Sequence, residues 1–190
     1  MTSSPDPFAQ RRHVLAALAV GALLAGCGSR RPAPSARRGG GTVARRAPVP
    51  VPPSRPPLAL DPSGREASVA QAMLLVNTPY RYGGNTPDGG FDCSGLVHYV
   101  YGRVTDGATR LPRSTAQWAA VTQPVDESRL QRGDLVFFNT SGAPFSHMGI
   151  YVGGAQFVHA PSSGGTVRKD SLNSRYFAPR YLGARSVFAA

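Results

Sequence analysis

Cysteine is scarce in this 190-residue chain: only Cys27 and Cys93 are present, so at most one disulfide could form and a disulfide-built scaffold is excluded. The two also stand far apart, without the closely spaced pair that builds most structural zinc sites. Lysine is scarcer still, with Lys169 alone among 21 basic residues. The apolar run Val14 to Ala25 stops at twelve residues, well short of the ~20 that a membrane-spanning helix needs. Acidic residues number 10 against 21 Lys and Arg, a formal net charge of +11, and none of them lies between residues 28 and 60. Such a balance suits nucleic acid, a membrane surface or an anionic polymer, so where the charge sits matters more than its size.

Most of it sits at the front. Arg11 and Arg12 followed by the run Val14 to Ala25 read as the start and h-region of a secretory signal. Leu24-Ala25-Gly26-Cys27 resembles the bacterial lipobox, which would make Cys27 the acylated first residue of the mature protein. The Arg11-Arg12 pair is compatible with a twin-arginine signal, and its flanks leave the export route open. Gly28, in place of an acid at that position, points to the periplasmic face of the outer membrane. Residues 28–60 carry eight prolines and seven arginines, a composition that cannot build a core. At ~3.1 Å per residue such a segment reaches on the order of 100 Å. The expected organisation is a signal peptide at 1–26, the lipidated Cys27 and a disordered tether at 27–63, and one folded domain at 64–190. From Gly64 onward 12 basic residues face 8 acids, so the basicity belongs to the tether, and nucleic acid is no partner for an exported arm.

The 127 residues from Gly64 suffice for one core. Val69, Ala70, Met73, Leu74 and Val76 predict a helix over 66–76, capped by Asp61 or Ser63. Gly90-Phe91-Asp92-Cys93 predicts a turn into a second helix, with Asp92 as N-cap and Leu96, Val97 and Val100 at helical spacing. Ser114-Thr115-Ala116-Gln117 has capping-box spacing and opens a third helix through Trp118. Leu135 to Phe138 is an unbroken apolar run, expected as a strand covered on both faces. His147 to Val152 and Ala155 to Ala160 form a hairpin about the glycines 153–154, and Tyr181 to Phe188 closes the sheet. Helices first and strands later give an α+β class with an antiparallel sheet.

Cys93 sits at the polar tip of its helix rather than on the apolar stripe, where the free N–H groups favour a thiolate and lower its pKa. His147 and His159 lie on the two arms of the hairpin. A two-residue turn at Gly153-Gly154 would pair residues whose numbers sum to 307 and part the imidazoles, whereas a three-residue loop Val152-Gly153-Gly154 gives 306 and sets them side by side, with Gly149 against Phe157; the second is the expected register. Cys93 is then a nucleophile, His147 its base and the donor to the leaving amine, and His159 the group that fixes the tautomer of His147. Zinc held by Cys93, His147 and His159 is the rival reading, and a lone cysteine argues against it. His98 falls about 140° round the helix from Cys93 and is given no role.

Tyr80-Arg81-Tyr82-Gly83-Gly84, Phe91-Asp92-Cys93-Ser94-Gly95-Leu96-Val97, Leu111-Pro112-Arg113-Ser114, Gly133-Asp134-Leu135-Val136-Phe137-Phe138, His147-Met148-Gly149-Ile150-Tyr151-Val152 and Phe157-Val158-His159-Ala160 together resemble the NlpC-type cell-wall endopeptidase family. The resemblance covers about residues 66–188. It implies a papain-like fold with N-terminal helices on a central antiparallel sheet, and Cys93, His147 and His159 as the catalytic set. It also implies Tyr80 beside the oxyanion, and Asp92, Ser94 and Ser114 in contact with the substrate. That substrate would be the peptidoglycan stem peptide, cut between D-glutamate and the following diamino acid without metal or cofactor. The region of Thr86-Pro87-Asp88 is slightly long for the family and loosens the placement of Tyr80. A thiol amidase or acyltransferase of similar fold, or a wall-binding lipoprotein whose site is unused, are the alternatives. A regulatory protein would be in keeping with a wall hydrolase, though no residue points to one.

Overall fold

The computed structural model describes residues 56–105, 107, 109–163 and 165–190. The signal peptide, Cys27 and the tether up to residue 55 lie outside the described residues. The elements in chain order are α1 (Gly64–Leu74), β1 (Asn85–Thr86), β2 (Gly90–Phe91), α2 (Cys93–Val104), α3 (Thr115–Val121), β3 (Gln123–Val125), β4 (Leu135–Phe138), β5 (His147–Gly153), β6 (Gln156–His159), β7 (Arg168–Ser171) and β8 (Tyr181–Ser186). The six later strands form one antiparallel sheet in the order β3-β8-β4-β5-β6-β7. The fold is the expected α+β, papain-like one. Among the described residues no helix is long and apolar enough to cross a membrane.

The sheet is covered on both faces, which is why β4 reads as four consecutive apolar residues, all buried. On one face Leu135, Phe137, Met148, Ile150 and Val158 pack with Val69 and Ala72 of α1 and Leu96, Val97, Val100 and Tyr101 of α2. On the other, Val136, Phe138, Phe157, Phe177 and Ala184 make a smaller aromatic cluster.

Three expectations are corrected. In α1 the buried stripe is Ser68, Val69 and Ala72, continuing to Leu75, while Ala70, Met73 and Leu74 face water. The helix is rotated because Arg65 binds Asp134 at 2.8 Å and Ser68 donates to the Arg65 carbonyl at 2.7 Å, fixing its first turn on the sheet end. The domain also begins before residue 64: Leu58 N donates to Val121 O at 2.7 Å, Leu60 N to Val187 O at 2.8 Å, and Ala189 N to Leu60 O at 2.8 Å. Two leucines at the end of a proline-rich arm suffice to dock it.

The third correction is the hairpin register. Ile150 pairs with Val158 and Tyr151 with Phe157, a sum of 308 rather than 306. The turn is Gly154-Ala155, both residues left-handed at φ 59° and 56°, with an irregularity between Tyr151 and Gly153. Because 306 and 308 differ by two, His147 and His159 still share a face, as diagonal rather than opposed neighbours. Extending the register places Gly149 opposite His159, and a Cβ on Gly149 would lie 2.6 Å from Phe157 Cδ2 and 3.1 Å from His159 Cβ.

Candidate active site

Cys93 is the first residue of α2, and Asp92 is its N-cap, with Oδ1 accepting from Gly95 N at 2.6 Å. The same carboxylate accepts from Ser94 Oγ, from Gly83 N, and from Arg113 through both oxygens at 3.1 Å. Arg113 also donates to the carbonyls of Gly83 and Gly84 and to Ser94 Oγ. Burial works against the Asp92 charge, yet the Arg113 guanidinium and the Gly95 N–H outweigh it and hold the carboxyl below its ordinary value. Asp92 and Ser94 therefore tie the start of α2 to the loop before it. Ser114 completes the capping box of α3 with Gln117.

The helix that Cys93 heads packs on β5, the strand that carries His147, and Cys93 lies against the same core as Met148 of that strand. Tyr80 joins them: it bridges Phe91, packs with Cys93 against the same core, and its hydroxyl is pushed up by burial and by the charges of Cys93 and Asp92. The expected lowering of the Cys93 pKa is not found. Burial and the neighbouring Asp92 charge push the thiol up to about 11, against the opposing pull of the Met148, Ser94 and Cys93 backbone N–H groups.

His147 Nε2 and His159 Nδ1 lie 2.8 Å apart, and His159 Nε2 lies 2.8 Å from Asp170 Oδ2 on β7. A carboxylate only accepts, so His159 Nε2 carries a hydrogen, which leaves Nδ1 as the acceptor for His147 Nε2–H. The chain of bonds thus ends in an unprotonated His147 Nδ1. The two touching nitrogens are spaced for a hydrogen bond rather than for a shared tetrahedral zinc ion, whose nitrogen ligands at ~2.0–2.1 Å would stand about 3.3 Å apart. The pair is walled by Phe138, Phe157 and Phe177, with the Phe177 ring 5.1 Å from His159 and 6.2 Å from His147. Burial lowers both imidazoles, and the Asp170 charge opposes it.

The site residues read from sequence fall in two groups: Tyr80, Asp92, Cys93 and Ser94 around the helix tip, where Arg113 joins them, and His147 and His159 on the sheet, where Asp170 joins them. Ser114 caps α3 and follows Arg113 in the chain. Arg113, Arg168 and Asp170 were not singled out from sequence; the only signal was Arg113 inside the Leu-Pro-Arg-Ser motif. His98 donates from Nδ1 to the Pro112 carbonyl oxygen at 2.8 Å, which ties α2 to the loop before α3.

A sheet with helices on one face, a cysteine heading α2 and a bonded imidazole pair on the hairpin describe a papain-like domain. The NlpC/P60 family model matches residues 77–186, and the chain belongs to that family. It is 38% identical over 125 residues to the murein DD-endopeptidase MepH of Escherichia coli K12, across 64% of this chain and 45% of MepH. It is 43% identical over 118 residues to the probable endopeptidase NlpC of the same organism, across 62% of this chain and 74% of that protein. The crystal structure of the NlpC/p60 domain of the peptidoglycan hydrolase SagA is similar at 36% identity and a TM-score of 0.54, covering 64% of this chain and 97% of SagA's domain. The chain spans less than half the length of MepH.

Proposed function

We propose that this protein is an exported, lipid-anchored peptidoglycan hydrolase that cuts the stem peptide through a cysteine acyl-enzyme. The observation that carries this reading is the continuous Asp170–His159–His147 chain, which leaves one imidazole nitrogen as acceptor on the strand against which the Cys93 helix packs. His147 Nδ1 takes the thiol proton as the Cys93 sulfur attacks the carbonyl carbon. The backbone N–H groups at the start of α2 and the Tyr80 hydroxyl stabilise the oxyanion. The imidazolium then gives its proton to the departing amine, leaving a thioester. Water, deprotonated by His147, attacks that thioester; the carboxylic acid departs and the thiol is restored.

The bond is the one between D-glutamate and the following diamino acid. The likeness to a DD-endopeptidase makes the D-alanyl bond to a diamino acid the second reading. Cys27 carries lipid that holds the protein on the periplasmic face of the outer membrane, and the arginine-rich arm spans to the wall. Digesting purified peptidoglycan with the wild type and with Cys93→Ala tests the chemistry. New ends expected from the wild type alone are D-glutamyl carboxylates and diamino acid amines. D-alanyl ends would favour the second bond, and turnover by the variant would overturn the mechanism. Cys27→Ser should move the protein from the membrane to the soluble fraction.

A further inference from the structure

Beside the histidine pair, on the aromatic face of the sheet, lies a cavity of about 130 Å³ lined by Thr140, His147, Ser162, Ser163, Arg168 and Tyr176, with Pro161 and Phe177. None of these residues carries a negative charge. Arg168 donates from Nε to Asp170 Oδ2 at 2.9 Å, so one edge of its guanidinium is fixed, while its two terminal amino groups make no hydrogen bond to protein among the described residues. Its side chain is 40% exposed, open to a ligand. The cavity therefore offers a held, planar double donor in a lining that also carries the four hydroxyl groups of Thr140, Ser162, Ser163 and Tyr176, the arrangement that receives a carboxylate.

Its place relative to the reacting groups assigns it a half of the substrate. The departing amine must meet His147 Nδ1 to be protonated, so the residue carrying that amine lies against His147. The acyl half belongs to the other side, where Tyr80, Asp92 and Ser94 surround Cys93 on the α2 face. We infer that this cavity holds the amine-side residue of the cleaved bond and that Arg168 binds a free carboxylate on it. The inference rests on the proposed hydrolysis of stem peptides, and under either bond considered above the amine-side residue is a diamino acid. Arg168 thus selects a diamino acid that bears a free side carboxylate over one whose carboxylate is amidated or missing. Its charge also opposes protonation of His147, so a carboxylate that neutralises Arg168 would make His147 a stronger base as substrate binds.

Three synthetic stem peptides test this, alike except that the diamino acid bears a free side carboxylate, its primary amide, or, as lysine, none. For the wild type kcat/KM should be about tenfold higher on the free acid than on the other two, as for a charged hydrogen-bonded pair partly open to water. In Arg168→Gln the ratio should fall to near one, and Arg168→Lys should keep part of it. Each ratio is measured within one preparation, so it is independent of the folded fraction. A wild-type ratio near one, or a ratio unchanged in Arg168→Gln, would overturn the assignment of Arg168 while leaving the hydrolase standing. Failure of the wild type to cut any of the three peptides or whole peptidoglycan would remove both.

Discussion

The thiol and the imidazoles of this site are shifted in opposite directions, Cys93 up to about 11 and both histidines down, and each shift is led by burial. Neither group ionises readily alone. A proton moved from Cys93 to His147 makes a pair rather than two isolated charges, so the two titrate together. Asp170 is the counter-charge that makes an imidazolium tolerable at the far end of the chain, and it is a positioning residue, since it acts through His159. Asp170→Asn keeps an acceptor for His159 Nε2–H and removes the charge. Because that charge raises both imidazoles, its loss should move the acid limb of the kcat/KM profile to still lower pH. It should also lower the plateau about tenfold, one pKa unit being worth about 1.4 kcal/mol. An acid limb that stays in place would show that Asp170 does not act through the imidazoles. The place of Cys93 at a helix tip and the pairing of His147 with His159 were legible in sequence, because an N-cap and a hairpin leave recognisable residue patterns. Asp170, Arg168 and Arg113 were not, because a charged residue at a strand end or in a loop usually faces solvent. The Cys93 pKa was misread because a helix tip is visible in sequence and burial is not.

Elements set how far those residues can stray. The hairpin register was read from a loop of Val152, Gly153 and Gly154, and the turn forms at Gly154-Ala155 instead, which moves the paired sum by two. The face shared by His147 and His159 survives that change, which is why it could be read while the register could not. Gly149 is the element that makes the contact possible, since it leaves room for Phe157 and His159 across the hairpin. Gly149→Ala places a Cβ 2.6 Å from the Phe157 ring and 2.8 Å from the Val158 carbonyl oxygen, and backbone cannot yield as a flexible chain end would. About 2–3 kcal/mol of stability should be lost, measured as a shift of the urea midpoint at unchanged slope. At the other end of the scale, Ser114→Ala removes one half of the α3 capping box and should cost about 1 kcal/mol. If Ser114 acts only as a cap, kcat/KM for the folded variant stays at the wild-type value; a fall in KM-limited rate would restore it to the substrate contacts.

At the scale of the whole molecule, the border between arm and domain carries the argument. Composition put it at residue 64, since prolines and arginines persist up to that region and a helix cap follows. The folded structure draws Leu58 and Leu60 in as well: Leu60 is 9% exposed, bridges Phe188 in parallel, and joins the end of α3 to the last strand's exit through Leu58. Sequence reasoning misses such a strap because two leucines and three backbone bonds give no periodicity, only a place to dock. The strap closes the core around Tyr101, Trp118 and Phe188, whose rings lie 5.7 and 6.0 Å from Tyr101. A chain beginning at residue 64 should therefore be less stable than one beginning at residue 56. Burying one leucine side chain contributes about 1.5–3 kcal/mol, and each backbone hydrogen bond about 1 kcal/mol more. Urea unfolding of the two chains, with Leu60→Ala in the longer one as a point test, should place the shorter chain about 4–6 kcal/mol lower and the variant between them. Equal midpoints would return residues 58–63 to the arm and leave α1 as the true beginning of the domain.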